Sequence, residues 1–272
     1  MTFYQKVRSI QRRNHSLLCI GLDTDSARLP GFLRESGDPV YEFNSRIIDA
    51  TNDLVCAYKI NLAFYESIGE RGWSAVHRTL ACIPREIITI GDAKRGDIGN
   101  SSELYVRSVM DDYGFTACTV NPYMGEDSVL PFARNREQGA FVLAVTSNPG
   151  AKDFQYLKVR GKPLYEQVIG KVRKWNSKKN LGLVVGATRP KEMARVRKLV
   201  PDMPLLIPGI GAQGGEVRSA VRYGCDKRGE MAIINASRSI IYASSGKDFA
   251  HAARGAALKL RDEMNESRVK FF

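Results

Sequence analysis

Short apolar runs recur along the chain, separated by longer stretches in which apolar residues repeat every three to four positions. The runs Ser16–Asp23, Leu54–Ile60, Ile87–Asp92, Thr116–Val120, Ala140–Thr146, Leu181–Gly186, Pro204–Gly209 and Met231–Ala236 are rich in β-branched residues and read as eight strands. Their apolar character is too continuous for a solvated face, as expected of parallel strands covered on both sides. Helical periodicity occupies 41–53, 63–80, 101–113, 125–138, 163–178, 190–199, 213–224 and 246–265. Eight strand–helix alternations predict an α/β fold, a (β/α)8 TIM barrel in a single domain spanning 1–272. The segment 2–14 is an extra N-terminal helix closing the barrel bottom. A doubly wound open sheet fits the same periodicity, because alternation alone does not show closure. Two irregular segments are long, 24–40 and 147–162. Long loops in compact domains are commonly lids or binding segments, or surface insertions without a role. The first has its own apolar patch, Phe32 and Leu33.

Composition narrows the class. With 43% hydrophobic and 26% charged residues, the chain is ordinary for a globular protein and unlike a disordered or low-complexity one. No uncharged apolar stretch reaches the ~20 residues of a membrane span. The five cysteines form no CxxC, and Cys19, Cys56 and Cys118 lie inside apolar runs, where a thiol acts as a small hydrophobe. The start of the chain lacks the apolar core of a signal peptide, so a cytoplasmic location is expected. His15, His77 and His251 match no metal-ligand spacing. The net charge of +12 is local: residues 151–200 hold 14 basic and 3 acidic side chains, a net of +11. Lys171, Arg173, Lys174, Lys178 and Lys179 fall on helix faces and turns with one aromatic residue, Trp175, among them. That is the pattern of a solvated face; attraction of an anionic substrate is a milder functional reading.

In a (β/α)8 barrel the active site lies at the C-terminal ends of the strands. Those ends carry Asp23 and Asp25, Lys59 and Asn61, Asp92, Lys94 and Asp97, Asn121, Thr146–Asn148, Gly209–Gly215 with Gln213, and Asn235–Arg238. A lone polar residue where a strand meets water says little. Lys59 says more, because it sits within an apolar run and needs anionic partners if buried. The sharpest chemistry is in Gly91-Asp92-Ala93-Lys94-Arg95-Gly96-Asp97. In an extended strand exit Asp92 and Lys94 point to one side. With Lys59 and Asp97 they would form an alternating array of two ammoniums and two carboxylates, suited to delivering a proton to a developing carbanion. A second element is Pro208-Gly209-Ile210-Gly211-Ala212-Gln213-Gly214-Gly215, a glycine-rich turn entering a helix after strand seven. Such a turn lets backbone N–H groups approach a phosphate, and Arg238 after strand eight is placed to clamp the same group.

These segments together resemble the orotidine 5′-phosphate decarboxylase family, in its longer bacterial type. Asp92-Ala93-Lys94-Arg95-Gly96-Asp97-Ile98-Gly99 is similar to the family's DxKxxDI signature. Gly209–Gly215 is similar to its phosphate loop, Arg238-Ser239-Ile240 to its closing arginine motif, and Thr146–Gly150 to its strand-five segment. The resemblance runs from about Leu17 to Tyr242. It implies cofactor-independent decarboxylation of orotidine 5′-phosphate to UMP, the last step of de novo pyrimidine biosynthesis, with neither metal nor organic cofactor. It further implies that Asp23 and Lys59 hold the ribose hydroxyls, and that Asp92, Lys94 and Lys59 surround the scissile carboxylate with Lys94 protonating C6. Ser147 would contact the pyrimidine, Gln213 and Arg238 the phosphate, and Pro208 and Ile210 would line the pocket where the carboxylate departs. Asp97, with Ile98 and Ser101, would reach into the neighbouring protomer's site of a homodimer. Ser101 stands where the family often has Thr and keeps the hydroxyl.

Two other readings predict different chemistry. A related barrel acting on a Mg2+-held sugar phosphate needs a metal-binding carboxylate near the array, for which Glu66 or Asp53 would serve. A nucleic-acid-binding barrel would use the 151–200 block and show steeply salt-dependent oligonucleotide binding, leaving Asp92, Lys94 and Asp97 unexplained. Neither a nucleic-acid partner nor a membrane partner is expected.

Overall fold

All eight expected strands form, and they close. The computed structural model describes residues 1–211 and 216–272. Its barrel strands are β1 (Leu18–Gly21), β2 (Ala57–Asn61), β3 (Ile88–Arg95), β4 (Ala117–Val120), β5 (Gly139–Val145), β6 (Leu181–Val185), β7 (Leu205–Pro208) and β8 (Ala232–Ala236). Each is parallel to its neighbours, and β8 pairs with β1 through Leu18–Ile234 and Cys19–Asn235. Closure removes the alternative of an open sheet and, among the described residues, leaves the barrel itself without an edge strand. β1, β4, β6 and β8 are buried along their whole length, which explains the unbroken apolar runs.

The N-terminal helix, Phe3–Arg13, begins at Thr2 with a reciprocal capping box to Gln5. It closes the strands' N-terminal end as expected. Phe3 packs edge-on against Phe141, with ring centroids 5.8 Å apart, and Tyr4 donates to the Leu181 carbonyl at 2.7 Å. Buried Gln11 bonds both the carbonyl of Ala232 and the N–H of Met231.

Several helices differ from their expected spans. The stretch 63–80 divides into Leu62–Glu66 and Glu70–Cys82, because Gly69 takes the left-handed φ of +63°. The stretch 125–138 shortens to Glu126–Val129 and a 3-10 turn at Leu130–Ala133, where Pro131 cannot continue an α-helical ladder. The stretch 101–113 starts earlier, as Gly99–Val106, and ends in a π-helical turn over Arg107–Asp112. The last helix runs on to Phe271, whose ring lies 5.6 Å from the Arg218 guanidinium.

The segment 24–40 is ordered into two 3-10 turns, Ser26–Arg28 and Gly31–Leu33. Leu29 and Leu33 are buried, and Phe32 meets Phe249 at 6.2 Å. Arg28 stacks 4.0 Å over the Tyr242 ring, and the Asp25 N–H bonds the Tyr242 hydroxyl. This insertion therefore braces the turn that follows β8. The segment 147–162 contains a short helix, Ala151–Phe154, and one side of a small antiparallel hairpin pairing 158–159 with 162–163.

Candidate active site

β3 runs three residues beyond Asp92, and there its register with β4 breaks. Gly91 pairs with Cys118 and Arg95 with Val120, so Asp92, Ala93 and Lys94 stand opposite the single residue Thr119. Bulges of this kind re-aim side chains. Lys94 has a φ of +49°, in the left-handed region. Asp92 and Lys94 consequently do not share a face through extended alternation. The bulge turns Lys94 back, bringing its Nζ to 2.7 Å from Asp92 Oδ1.

From Asp92 the array continues inward. Lys59 Nζ lies 3.1 Å from Asp92 Oδ2 and 3.1 Å from Asp23 Oδ1. The pairing of Gly21 with Lys59 and of Asn61 with Asp92 sets these three side chains on adjacent strand ends. The observed order is Asp23–Lys59–Asp92–Lys94, two carboxylates alternating with two ammoniums. Burial alone would raise the Asp92 carboxyl, but Lys59 and Lys94 outweigh it and hold the group ionised, well below the usual carboxylate range. Burial likewise opposes the Lys59 charge, and Asp23 with Asp92 more than restores it. The two lysines differ in access: the Lys59 side chain is 4% exposed and the Lys94 side chain 50%. Lys59 is therefore a fixed charge inside the protein, whereas Lys94 faces the space where a ligand would sit.

That space is a cavity of about 420 Å³ at the strands' C-terminal mouth. The array and Asn61 form one wall, and Thr146, Ser147 and Asn148 form another. Leu143, Val184 and Leu206 supply an apolar floor, and Pro208, Gly209, Ile210 and Arg238 lie across it. Gly209 and Gly211 adopt φ of +106° and +77°, which side-chain-bearing residues rarely take. Arg238 is exposed and opens a short helix, Arg238–Ile241. Its approach depends on Gly21: a Cβ there would stand 2.0 Å from Ser237 Oγ. The cavity lining thus joins a doubly charged array to a glycine turn and a guanidinium.

A model of the orotidine 5′-phosphate decarboxylase / HUMPS family matches residues 16–253. The chain belongs to this family. It is 48% identical over 275 residues to the orotidine 5′-phosphate decarboxylase of Dehalococcoides mccartyi, covering all of both chains. It is 49% identical over 255 residues to that of Flavobacterium johnsoniae, covering 92% of this chain and 93% of the other. Among solved structures, Leishmania donovani OMP decarboxylase is similar with a TM-score of 0.85 and 35% identity, covering 99% of each chain.

Of the residues matched to the family's motifs, the fold brings Asp23, Lys59, Asp92, Lys94, Ser147, Pro208, Ile210 and Arg238 around one cavity. Gln213 lies outside the described residues. Asp97, Ile98 and Ser101 do not join that cavity. Asp97 and Ser101 line a separate surface groove with Trp73, Leu104 and Tyr105, and Ile98 is 49% exposed. Sequence reasoning passed over Thr119, Leu143, Val184 and Leu206, which look like any other residues of buried strands.

The carboxylates weighed as Mg2+ ligands are committed elsewhere. Glu66 pairs with Arg95, and Asp53 takes both terminal nitrogens of Arg254. Among the described residues no group of three His, Cys, Asp or Glu is placed to hold a metal. In the basic block, Lys171, Arg173, Lys174, Lys178 and Lys179 are exposed, but Arg197 is half-buried, with its guanidinium bonded to backbone carbonyls. No helix among the described residues is long and apolar enough to cross a membrane.

Proposed function

We propose that this chain, an orotidine 5′-phosphate decarboxylase of the longer bacterial type, converts its substrate to UMP with Lys94 as the proton donor. The observation that carries this reading is the Asp23–Lys59–Asp92–Lys94 chain at the cavity wall, ending in an accessible ammonium. Heterolysis of the bond between C6 and the carboxylate releases CO2 and leaves the electron pair on C6. No cofactor delocalises that pair, so a preorganised positive charge must stabilise it as it forms. Lys94 Nζ supplies the charge and then the proton, giving UMP, and regains a proton from solvent. Ionised Asp92 keeps the ammonium aimed and faces the departing carboxylate.

Asp23 and Lys59 would hold the ribose hydroxyls, and Ser147 the pyrimidine. Arg238 and Gln213 would bind the phosphate, while Pro208 and Ile210 border the route of CO2. Binding energy from the remote phosphate then helps close the site around the reacting carbon. The reading takes the whole chain as one catalytic domain, active as a homodimer in which Asp97, Ile98 and Ser101 complete the partner's site. The outward position of these three residues supports that arrangement. It also takes the cytoplasm as the location, in keeping with five free thiols.

The test is ultraviolet absorbance of orotidine 5′-phosphate mixed with purified protein in EDTA, beside Lys94→Ala. Conversion to UMP by the wild type alone is expected. Well-folded protein that converts nothing, or that needs added Mg2+, would overturn the reading.

A further inference from the structure

The bulge that creates the array leaves a gap in the β3–β4 ladder, and a single side chain fills it. Thr119 is 1% exposed and stands alone opposite Asp92, Ala93 and Lys94. Its Oγ accepts the Lys94 backbone N–H at 3.0 Å and donates to Asp92 Oδ1 at 2.9 Å. The same Asp92 oxygen receives Lys94 Nζ at 2.7 Å. One hydroxyl therefore touches both the backbone of the lysine and the carboxylate that orients its ammonium. A hydroxyl suits this place because it donates and accepts at once. Valine, with nearly the same shape, does neither.

We infer that Thr119 is a positioning residue for the decarboxylation, holding Lys94 in its left-handed backbone conformation and Asp92 in the orientation that aims the Lys94 ammonium. The inference rests on the role proposed for Lys94. A lysine at φ +49° has no intrinsic reason to remain there, and backbone strain persists only where surroundings over-determine it. Here the determinants are the ladder at Gly91 and Arg95, which brackets the bulge, and the Thr119 bond inside it. Remove the hydroxyl and the Lys94 N–H loses the bond that ties it to β4. The backbone then has reason to move, and the ammonium moves with it. Thr119 does not act on the reaction directly; it acts through Lys94 and Asp92.

Three variants test this: Thr119→Val, Thr119→Ala and Thr119→Ser. Misplacing a reacting group by about 1 Å costs on the order of 10²-fold in rate. Thr119→Val is expected to lower kcat by about that factor while KM and UMP affinity stay within about threefold, because the phosphate grip lies across the cavity. Thr119→Ser restores the rate to within about threefold. Wild-type kcat in Thr119→Val would overturn the inference. So would a parallel loss of kcat and UMP affinity that Ser does not rescue, since that marks a merely structural role. If Val does not fold, Thr119→Ala gives the same reading, and failure of both to fold counts against it. A crystal structure of the Val or Ala variant separates this inference from the proposed activity. Lys94 leaving the left-handed region supports the positioning role even if orotidine 5′-phosphate is not the substrate, and an unmoved Lys94 overturns it.

Discussion

The barrel has a charged cluster at each end, and the two are built differently. At the C-terminal mouth, Asp23 and Asp92 meet the ammoniums of Lys59 and Lys94 around a cavity. At the closed end, Arg8 and Arg12 of the N-terminal helix meet Asp226 and Glu230. There, Asp226 also accepts the N–H groups of Arg228 and Glu230, and Glu230 takes both guanidiniums. Nearby Arg197 is covered by the carbonyls of Gly224, Val200 and Met203. Burial pulls its guanidinium down to about 10, so it is still charged at neutral pH. Guanidinium forks match carboxylates two bonds at a time and leave little unsatisfied. Ammonium point charges leave donors free. Opposite charges seal one end of the barrel and arm the other.

This contrast predicts a double dissociation between activity and stability. The largest effect belongs to Lys94→Ala, expected to cut kcat by at least about 10³-fold, the combined scale of a lost general acid and a lost transition-state charge. Half-exposed Lys94 contributes little to folding, so the urea midpoint should barely move. A kcat within tenfold of wild type would break the comparison by making the upper cluster structural as well. Next in size is Arg238→Ala, in the cavity lining but outside the charged array. A charge-assisted phosphate contact is worth about 1.5–3 kcal/mol, so kcat/KM should fall about 10- to 100-fold. Unchanged kcat/KM with the phosphorylated substrate would remove Arg238 from the grip.

How legible these clusters were depended on their surroundings. The eight strands could be read because burial on both faces made each uniformly apolar. The break at Pro131 was written in the chain and was overridden by the periodicity around it; Gly69 gave a fainter signal, since an isolated glycine is tolerated inside helices. In the upper cluster, Lys59 could be found as a charge inside an apolar run. The contact between Asp92 and Lys94 was anticipated for an incorrect reason, because a bulge is not visible in side-chain type. Thr119 stayed hidden because its partners lie on the neighbouring strand. The lower cluster passed unnoticed: Arg8, Arg12, Asp226 and Glu230 are more than 200 residues apart in sequence and look like surface charges.

A smaller effect sharpens the upper end further. If Asp97 completes the partner's site, Asp97→Ala and Lys94→Ala, each nearly inactive alone, should complement when mixed and allowed to exchange. Half the dimers would then be mixed, each with one intact site of two, giving about a quarter of wild-type activity. No recovery under conditions of proven exchange would place Asp97 in its own protomer's site or outside the chemistry.

The smallest effect on catalysis belongs to the closed end. Glu230→Gln should leave kcat unchanged and lower stability by about 2 kcal/mol, below the full cost of breaking a buried pair because Arg12 is half-exposed. The pH dependence tests whether charge is the cause. Burial would raise the Glu230 carboxyl, but bonds from Arg12 and Arg8 outweigh it and hold it below the usual carboxylate range. Its folded-state value therefore lies under its unfolded one. The ionised form adds stability above the ordinary glutamate value of about 4.3 and loses it as pH falls through the folded-state value. Wild type and Glu230→Gln should then differ most near pH 7 and converge in acid, measured as urea midpoints at both pH values. A gap that stays constant would mean that Glu230 seals the barrel by shape and packing, and the two ends would differ in more than how their charges are satisfied.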